Sequence, residues 1–291
     1  MRPRAYQDLL GFVRTACTHA SHAGRELPVI AFYVREHAIG WLTPSFADLL
    51  RRWPHVFEVS PAFVRLSARP DSPAGRSAAM AEVTHDLARD GTLSGWRDEL
   101  VSVSAHYGQP ELFRVERAAT RHFGLMAYGA HMNGFTREGG LEHAWIARRS
   151  PDKQIDPDKL DNLVGGRISA GMSVDETLRK EAWEEAGLAP ALLAGLNCLG
   201  AVRVEYSVPE GLHREILFVH DIWLPEDYKP VNQDGEVAEI RRMPVEDVIE
   251  SLLAGDFTLD AGVVMIDGLL RLGAVLPEDP QYLDLVRLMK P

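Results

Sequence analysis

Three glutamates, Glu181, Glu184 and Glu185, stand at spacings i, i+3 and i+4 in the string KEAWEEAGL. On a helix this spacing gathers them within two turns, where like charges repel by roughly 0.2–0.5 kcal/mol per pair and meet the negative end of the helix dipole. Burying such ions unpaired costs on the order of several kcal/mol each, so either the face is wet or a cation is bound. An all-oxygen cluster suits a hard divalent ion, Mg2+ or Mn2+. Upstream, Gly165, Gly166 and Gly171 permit tight turns in which a bare backbone carbonyl can point at that ion. The string alone also suits a solvated face, since Lys180 can pair with Glu184 at i+4. Its neighbours argue otherwise: at 100° per residue Val174, Leu178 and Ala182 form an apolar stripe, Glu181 and Glu185 fall within it or along its edge, and Glu184 lies on the adjacent flank.

Other residues can serve a phosphate-bearing ligand. Arg148, Arg149 and Lys153 form a basic patch just before the glycine loop. Arginine grips phosphate oxygens bidentately and lysine acts as a point charge, so one or two of these are candidate substrate contacts. His131 and Asn133 share an alternating face with Leu125, Ala127 and Gly129, a small-residue face that can line a pocket for a heteroaromatic ring. No HExxH, GxSxG or GxxxxGK[ST] pattern occurs, which disfavours zinc-peptidase, serine-hydrolase and P-loop chemistry.

Composition limits the partners. The 291 residues carry 31 Lys and Arg against 42 Asp and Glu, a net charge of −11, which repels nucleic acid and anionic membrane surfaces alike. Two cysteines, Cys17 and Cys198, offer no metal-type spacing, and a reduced cytoplasm is the expected location. The N-terminal apolar run is broken by Arg14, too early for a signal peptide. The most apolar later stretch, residues 188–202, falls short of a membrane span. The protein is therefore expected to be soluble, with a small molecule as its ligand.

The elements that must position these groups follow from periodicity. Residues 5–20 carry apolar side chains at helical spacing, 28–41 read as extended, and a small mixed unit follows: helices at 44–52 and 77–89, and a strand near 56–66. The texture changes near Glu116, which predicts an accessory α+β domain over 1–116 and a second domain over 117–291. Ser173 with Glu176 forms a capping box, Gly187 a C′ glycine and Pro190 a stop, predicting a helix over residues 174–186. Beyond it come strand-like runs GAVRVEYSV and EILFVHDIWL, a strand and helix in DGEVAEIRRMPVEDVIESLLAG, and a helix over 261–272. A mixed sheet with helices on its faces is the economical architecture.

The segment from Gly166 to Leu188 resembles the Nudix box, G-x5-E-x7-R-E-U-x-E-E-x-G-U, the signature of Nudix hydrolases. It matches at Gly166, Glu181, Ala182, Glu184, Glu185, Gly187 and Leu188, and departs at Met172, where the family has Glu, and Lys180, where it has Arg. In the family those two residues brace the loop against the helix. AYGAHMNGF, WIARRSPDKQIDPDKLDNLVGG, DGEVAEI and WRDEL further resemble blocks of the subgroup associated with thiamine pyrophosphokinase. The resemblance implies a Nudix-type α/β/α sandwich and a Mg2+-dependent (or Mn2+-dependent) diphosphatase. Metal would be held by Glu181, Glu184, Glu185 and the Gly166 carbonyl, with Glu236 in DGEV as a carboxylate from outside the box and Glu181 as a candidate base. It also implies thiamine diphosphate or its oxidised forms as substrate, cleaved to the monophosphate. ADP-ribose, a dinucleotide, a coenzyme A compound, or a Nudix-fold binding module without turnover are the alternatives, and a homodimer is the further partnership considered.

Overall fold

The computed structural model describes residues 7–18 and 28–291. The helix expected over 5–20 is seen as α1 (Gln7–Cys17), and the outer ends of that expectation lie outside the described residues. The first unit holds β1 (Ile30–Val34), β2 (His37–Leu42), α2 (Pro44–Leu49), β3 (Phe57–Val59), β4 (Phe63–Leu66), α3 (Pro73–Arg89), β5 (Leu100–Ser104) and β6 (Glu111–Glu116). The run near 56–66 is thus a hairpin rather than one strand. The sheet order is β2-β1-β4-β3, with β5 and β6 a separate antiparallel ribbon. Helices α2 and α3 start at prolines capped by Thr43 and Ser72, the position where a missing N–H costs nothing. Phe32, Phe57, Phe113 and Phe123 centre one core.

The second unit holds β7 (Ala127–Glu138), β8 (Leu141–Arg149), β9 (Leu160–Asp161), β10 (Val164–Arg167), α4 (Val174–Ala186), β11 (Gly200–Val208), β12 (Gly211–Trp223), β13 (Val237–Pro244), α5 (Val245–Leu253), α6 (Leu259–Leu272) and α7 (Tyr282–Met289). Its sheet runs β11-β12-β7-β8-β13, with β10 on β7 and β9 on β8. Only the β12–β7 pairing is parallel, so the sheet is mixed. One face packs Val204, Leu217 and Val219 against α5, α6 and α7, and the other packs Ala130, Met132 and Ile222 against α4. This is the α/β/α sandwich expected for the second half, preceded by a smaller α+β unit. No helix among the described residues is long and apolar enough to cross a membrane.

Two features tie the ends of the chain together. Helix α1 buries Leu9, Leu10, Val13 and Ala16 in the core it shares with α6 and α7, and the Cys17 thiol donates to the Arg203 carbonyl on β11 (3.1 Å). Where the first unit hands over to β7, the backbones of β2 and residues 123–124 nearly touch. A Cβ on Gly40 would collide with the Phe123 carbonyl, and one on Gly124 (φ 52°) with that of Trp41. Backbone cannot retreat as a flexible side chain can. Gly40→Ala is therefore expected to lower unfolding free energy by about 1–3 kcal/mol, the usual range for overpacking, read by urea denaturation.

Candidate functional site

Helix α4 is fixed at both ends by its own sequence. The Ser173 hydroxyl accepts from the Glu176 N–H (3.2 Å), Glu176 accepts from the Ser173 N–H (2.8 Å), and Gly187 closes the helix at φ 63°. The helix then presses Glu181 onto the strand before it: a Cβ on Gly166 would collide with Glu181 Cγ, so only glycine leaves room for that carboxylate beside the loop backbone. One turn further, Glu185 Oε2 accepts from the Gly165 N–H (2.8 Å). The carboxylates are thereby aimed inward at the glycine loop, although α4 shows two exposed acidic side chains, Asp175 and Glu176, in its first turn.

Such burial has electrostatic consequences. Desolvation lifts the Glu185 carboxyl well above its ordinary range, with Asp161 and Glu181 adding repulsion and the Gly165 N–H, Lys153 and Arg149 opposing it. Glu181 is raised as well, chiefly by burial. Lys180 Nζ spans the neighbouring pair, 3.1 Å from Glu181 and 2.6 Å from Glu184. Where the Nudix pattern has a bracing Arg–Glu pair, Lys180 thus neutralises box carboxylates, because Met172 gives it no acid to hold. Oxygen donors, buried negative charge and a cation already drawn to it fit a divalent metal.

These groups line a cleft of about 610 Å³. It brings together Gly166, Glu181, Glu184, Glu185, Glu236, Arg149, Lys153 and His131. Arg149 is held by Asp161 (2.8 Å) and Lys153 pairs with Glu236, so the expected outside carboxylate arrives with its own counter-ion. His131 Nδ1 lies 2.9 Å from Asn162 Oδ1. Two expectations are corrected. Asn133 is fully buried, donating to Asp221 Oδ1 (2.9 Å) and the Val264 carbonyl (3.2 Å) and accepting from Asn162 (2.9 Å); it is a tie between β7 and α6, away from ligand. Arg148 faces the opposite side of β8 from Arg149 and pairs with Asp158 (3.3 Å), outside the cleft.

The cleft has walls that the sequence did not announce. The first unit contributes Arg97, Glu99, Arg117, Thr120, Arg121 and His122. Arg167 donates to Glu215 (2.9 Å) and Thr120 (3.1 Å), and Ser169 donates to Glu99 (2.8 Å). Arg121 Nε donates to His213 Nδ1 (3.2 Å), which turns Nε2 toward Asp260 at 3.2 Å. Among the described residues, His213, Glu215 and Asp260 are the one group whose donor atoms converge within 4.8 Å. Arg167 already neutralises that group, however. Burial would raise Glu215, but Arg167 and His213 outweigh it and hold the carboxyl below its ordinary range. Arg167 follows directly on Gly166, a signal for its place beside the box; the others meet only through folding.

A mixed sheet flanked by helices, with a glycine strand and a capped helix that turns three glutamates into a polar cleft, is the loop–helix–loop arrangement of a hydrolase acting on a small charged ligand. The comparisons agree. The family described as "NUDIX domain" matches residues 131–263, and the one described as "Domain of unknown function (DUF4743)" matches residues 11–127. Nudix hydrolase 24, chloroplastic, of Arabidopsis thaliana is 36% identical over 99% of this chain and 80% of its own. Nudix hydrolase 20, chloroplastic, of the same plant is 34% identical over 97% and 78%. The solved structure of DR0079 from Deinococcus radiodurans aligns with 58% of this chain and 98% of its own, at 19% identity and a TM-score of 0.43. The chain belongs to the Nudix hydrolase family, enzymes that cleave diphosphate bonds.

Two outcomes are expected. Arg167→Met leaves the buried Glu215 with only His213 (3.5 Å) of its two opposing partners, and unfolding free energy falls by up to about 3–5 kcal/mol, measured by denaturant titration. In metal-free protein, the raised Glu185 and Glu181 contribute stability that is fully present below the ordinary glutamate value of 4.5 and lost as pH climbs through their raised folded values. Glu185→Gln should flatten that decline in melting temperature against pH.

Proposed function

We propose that this protein hydrolyses a small organic diphosphate, with thiamine diphosphate or its oxidised analogues as substrate, releasing the monophosphate and phosphate. The carrying observation is the acidity of the cleft: eleven carboxylates line it against seven Lys or Arg side chains among the described residues. A trianionic diphosphate is repelled from such a cleft unless cations accompany it, and an organic part that is itself cationic, as a thiazolium is, sits more easily there than a neutral one. Similarity of the glycine-loop and DGEV blocks to the thiamine-pyrophosphokinase-associated subgroup supports the same substrate.

Glu181, Glu184, Glu185 and the Gly166 carbonyl would hold the divalent ion, which when bound neutralises the diphosphate and acidifies water. The chain's own groups do the rest. Lys180 must yield Glu181 and Glu184, and its ammonium is then free to meet a phosphate oxygen. Arg149 and Lys153, at present held by Asp161 and Glu236, orient the phosphates at the mouth. Glu181, whose carboxyl is raised above its ordinary range chiefly by burial, accepts the proton of the attacking water, the role of a positioned general base. The water oxygen bonds phosphorus while the bridging P–O bond breaks, and the displaced oxygen leaves on the organic monophosphate.

The test is incubation with Mg2+ or Mn2+ and thiamine diphosphate, oxythiamine diphosphate, ADP-ribose, NADH or coenzyme A, followed by phosphorus NMR. Turnover of the thiamine compounds is expected to exceed the others. Preference for ADP-ribose replaces the substrate, and no turnover on any of them with binding retained makes the protein a binding module. Glu181→Gln and Glu185→Gln should each lower kcat/KM by about 10²-fold or more, the scale of losing one charge-stabilising group; unchanged turnover would move the site elsewhere.

A further inference from the structure

Adjoining the cleft is a second pocket, of about 520 Å³, and the two share Arg121, Gln154, Ile155, Asp156, Glu210 and Thr258 as walls. Their linings differ in kind. The cleft has no Phe, Tyr or Trp among its walls. The second cavity has Phe12 from α1, Tyr206 from β11, and Phe257 and Leu259 at the start of α6, with Val208 and Pro209 beside them. Flat and branched apolar surfaces of this sort hold a ring, and a chamber of this size takes a small heterocycle.

The shared wall carries an unmet bonding capacity. Glu210 Oε2 is buried and has no hydrogen-bond partner among the described residues, its charge facing the ring of His122, a residue only 7% exposed that lines the cleft side. A buried acceptor left without a donor is costly, and a ligand N–H or positive charge at that position would satisfy it. Two other polar groups there are engaged: Arg121 with His213 (3.2 Å), and Thr258 with the Ala261 N–H (3.2 Å).

We infer that this second chamber receives the organic part of the substrate, an amino-substituted heteroaromatic ring, with Glu210 accepting from its N–H groups and Phe12, Tyr206 and Phe257 bounding its faces. The assignment deepens the proposed hydrolase reading and rests on it for the orientation of the substrate. It gives the first unit and α1 a part in choosing the substrate, since Arg121 and Phe12 come from outside the segment matched as a NUDIX domain.

The same ring chemistry occurs in thiamine and in adenosine, so both serve as phosphate-free probes, titrated without metal by ligand-observed NMR. One of the two should bind the wild type. Glu210→Gln, which keeps the side-chain shape, should weaken it about tenfold, the loss of one charge-assisted hydrogen bond. Thr15→Trp, a substitution at an exposed chamber residue, should weaken it at least as much by filling the space. If Thr15→Trp fails to fold, Glu210→Gln decides. Binding of neither probe by the wild type, or unchanged affinity in Glu210→Gln, overturns the chamber. With Mg2+ and the corresponding diphosphate, Glu210→Gln should raise KM about tenfold and change kcat less. Turnover with unchanged KM overturns the chamber and keeps the hydrolase, whereas probe binding without any turnover keeps the chamber and overturns the hydrolase.

Discussion

The organising constraint is that helix α4 turns carboxylates toward protein rather than water. Glu185 is seated on the Gly165 amide and Glu181 against Gly166, and negative charge in such a place must be answered nearby. The answers radiate outward. Lys180 bridges Glu181 and Glu184, Lys153 takes Glu236, Arg149 takes Asp161, and Arg167 takes Glu215. The capping box and Gly187 hold the helix in register with the glycine strand, so that the carboxylates cannot escape by sliding or unwinding.

This arrangement reconciles an acidic chain with a phosphate-bearing ligand. Repulsion by the net charge of −11 acts on polymers that must cover a wide surface, but a small diphosphate meets only the cleft, where cations can be concentrated. The cleft is also a joint product. Arg97, Arg117 and Arg121 come from the stretch matched to a family without assigned function, and they reach the box through Arg167–Thr120 and Ser169–Glu99 contacts. Substrate choice therefore need not reside in the box, whose pattern is set by the diphosphate.

What could be read from the chain beforehand divides along physical lines. The limits of α4 at 174 and 186 were legible because cap, dipole and C′ glycine are local signals within one short segment. The strands of the second unit were legible for a similar reason. Asn133 was misread because β7 is a central strand covered on both faces, and alternation there distinguishes two buried sides rather than a buried side from a cleft. His131 and Asn133 share a face, yet one ends beneath the cleft and the other beneath α6. Arg148 and Arg149 are adjacent, and only the pairing of β8 decides which faces the site. The convergence of Arg121, His213 and Asp260 is purely tertiary: no spacing joins residues so far apart.

Helix α1 has a further consequence, for assembly. It lies in sequence before the whole first unit, yet its apolar face is a wall of the second core, and Cys17 meets Arg203 across 186 positions. In connectivity the first unit is an insertion within the second. A ribosome delivers α1 before the first unit and α6 and α7 after it, so this apolar helix must wait, held near by the folded insertion, until α6 and α7 emerge. The closing contacts of the second unit are long-range ones, slow to form, and the insertion serves the fold as a tether that shortens the loop to be closed.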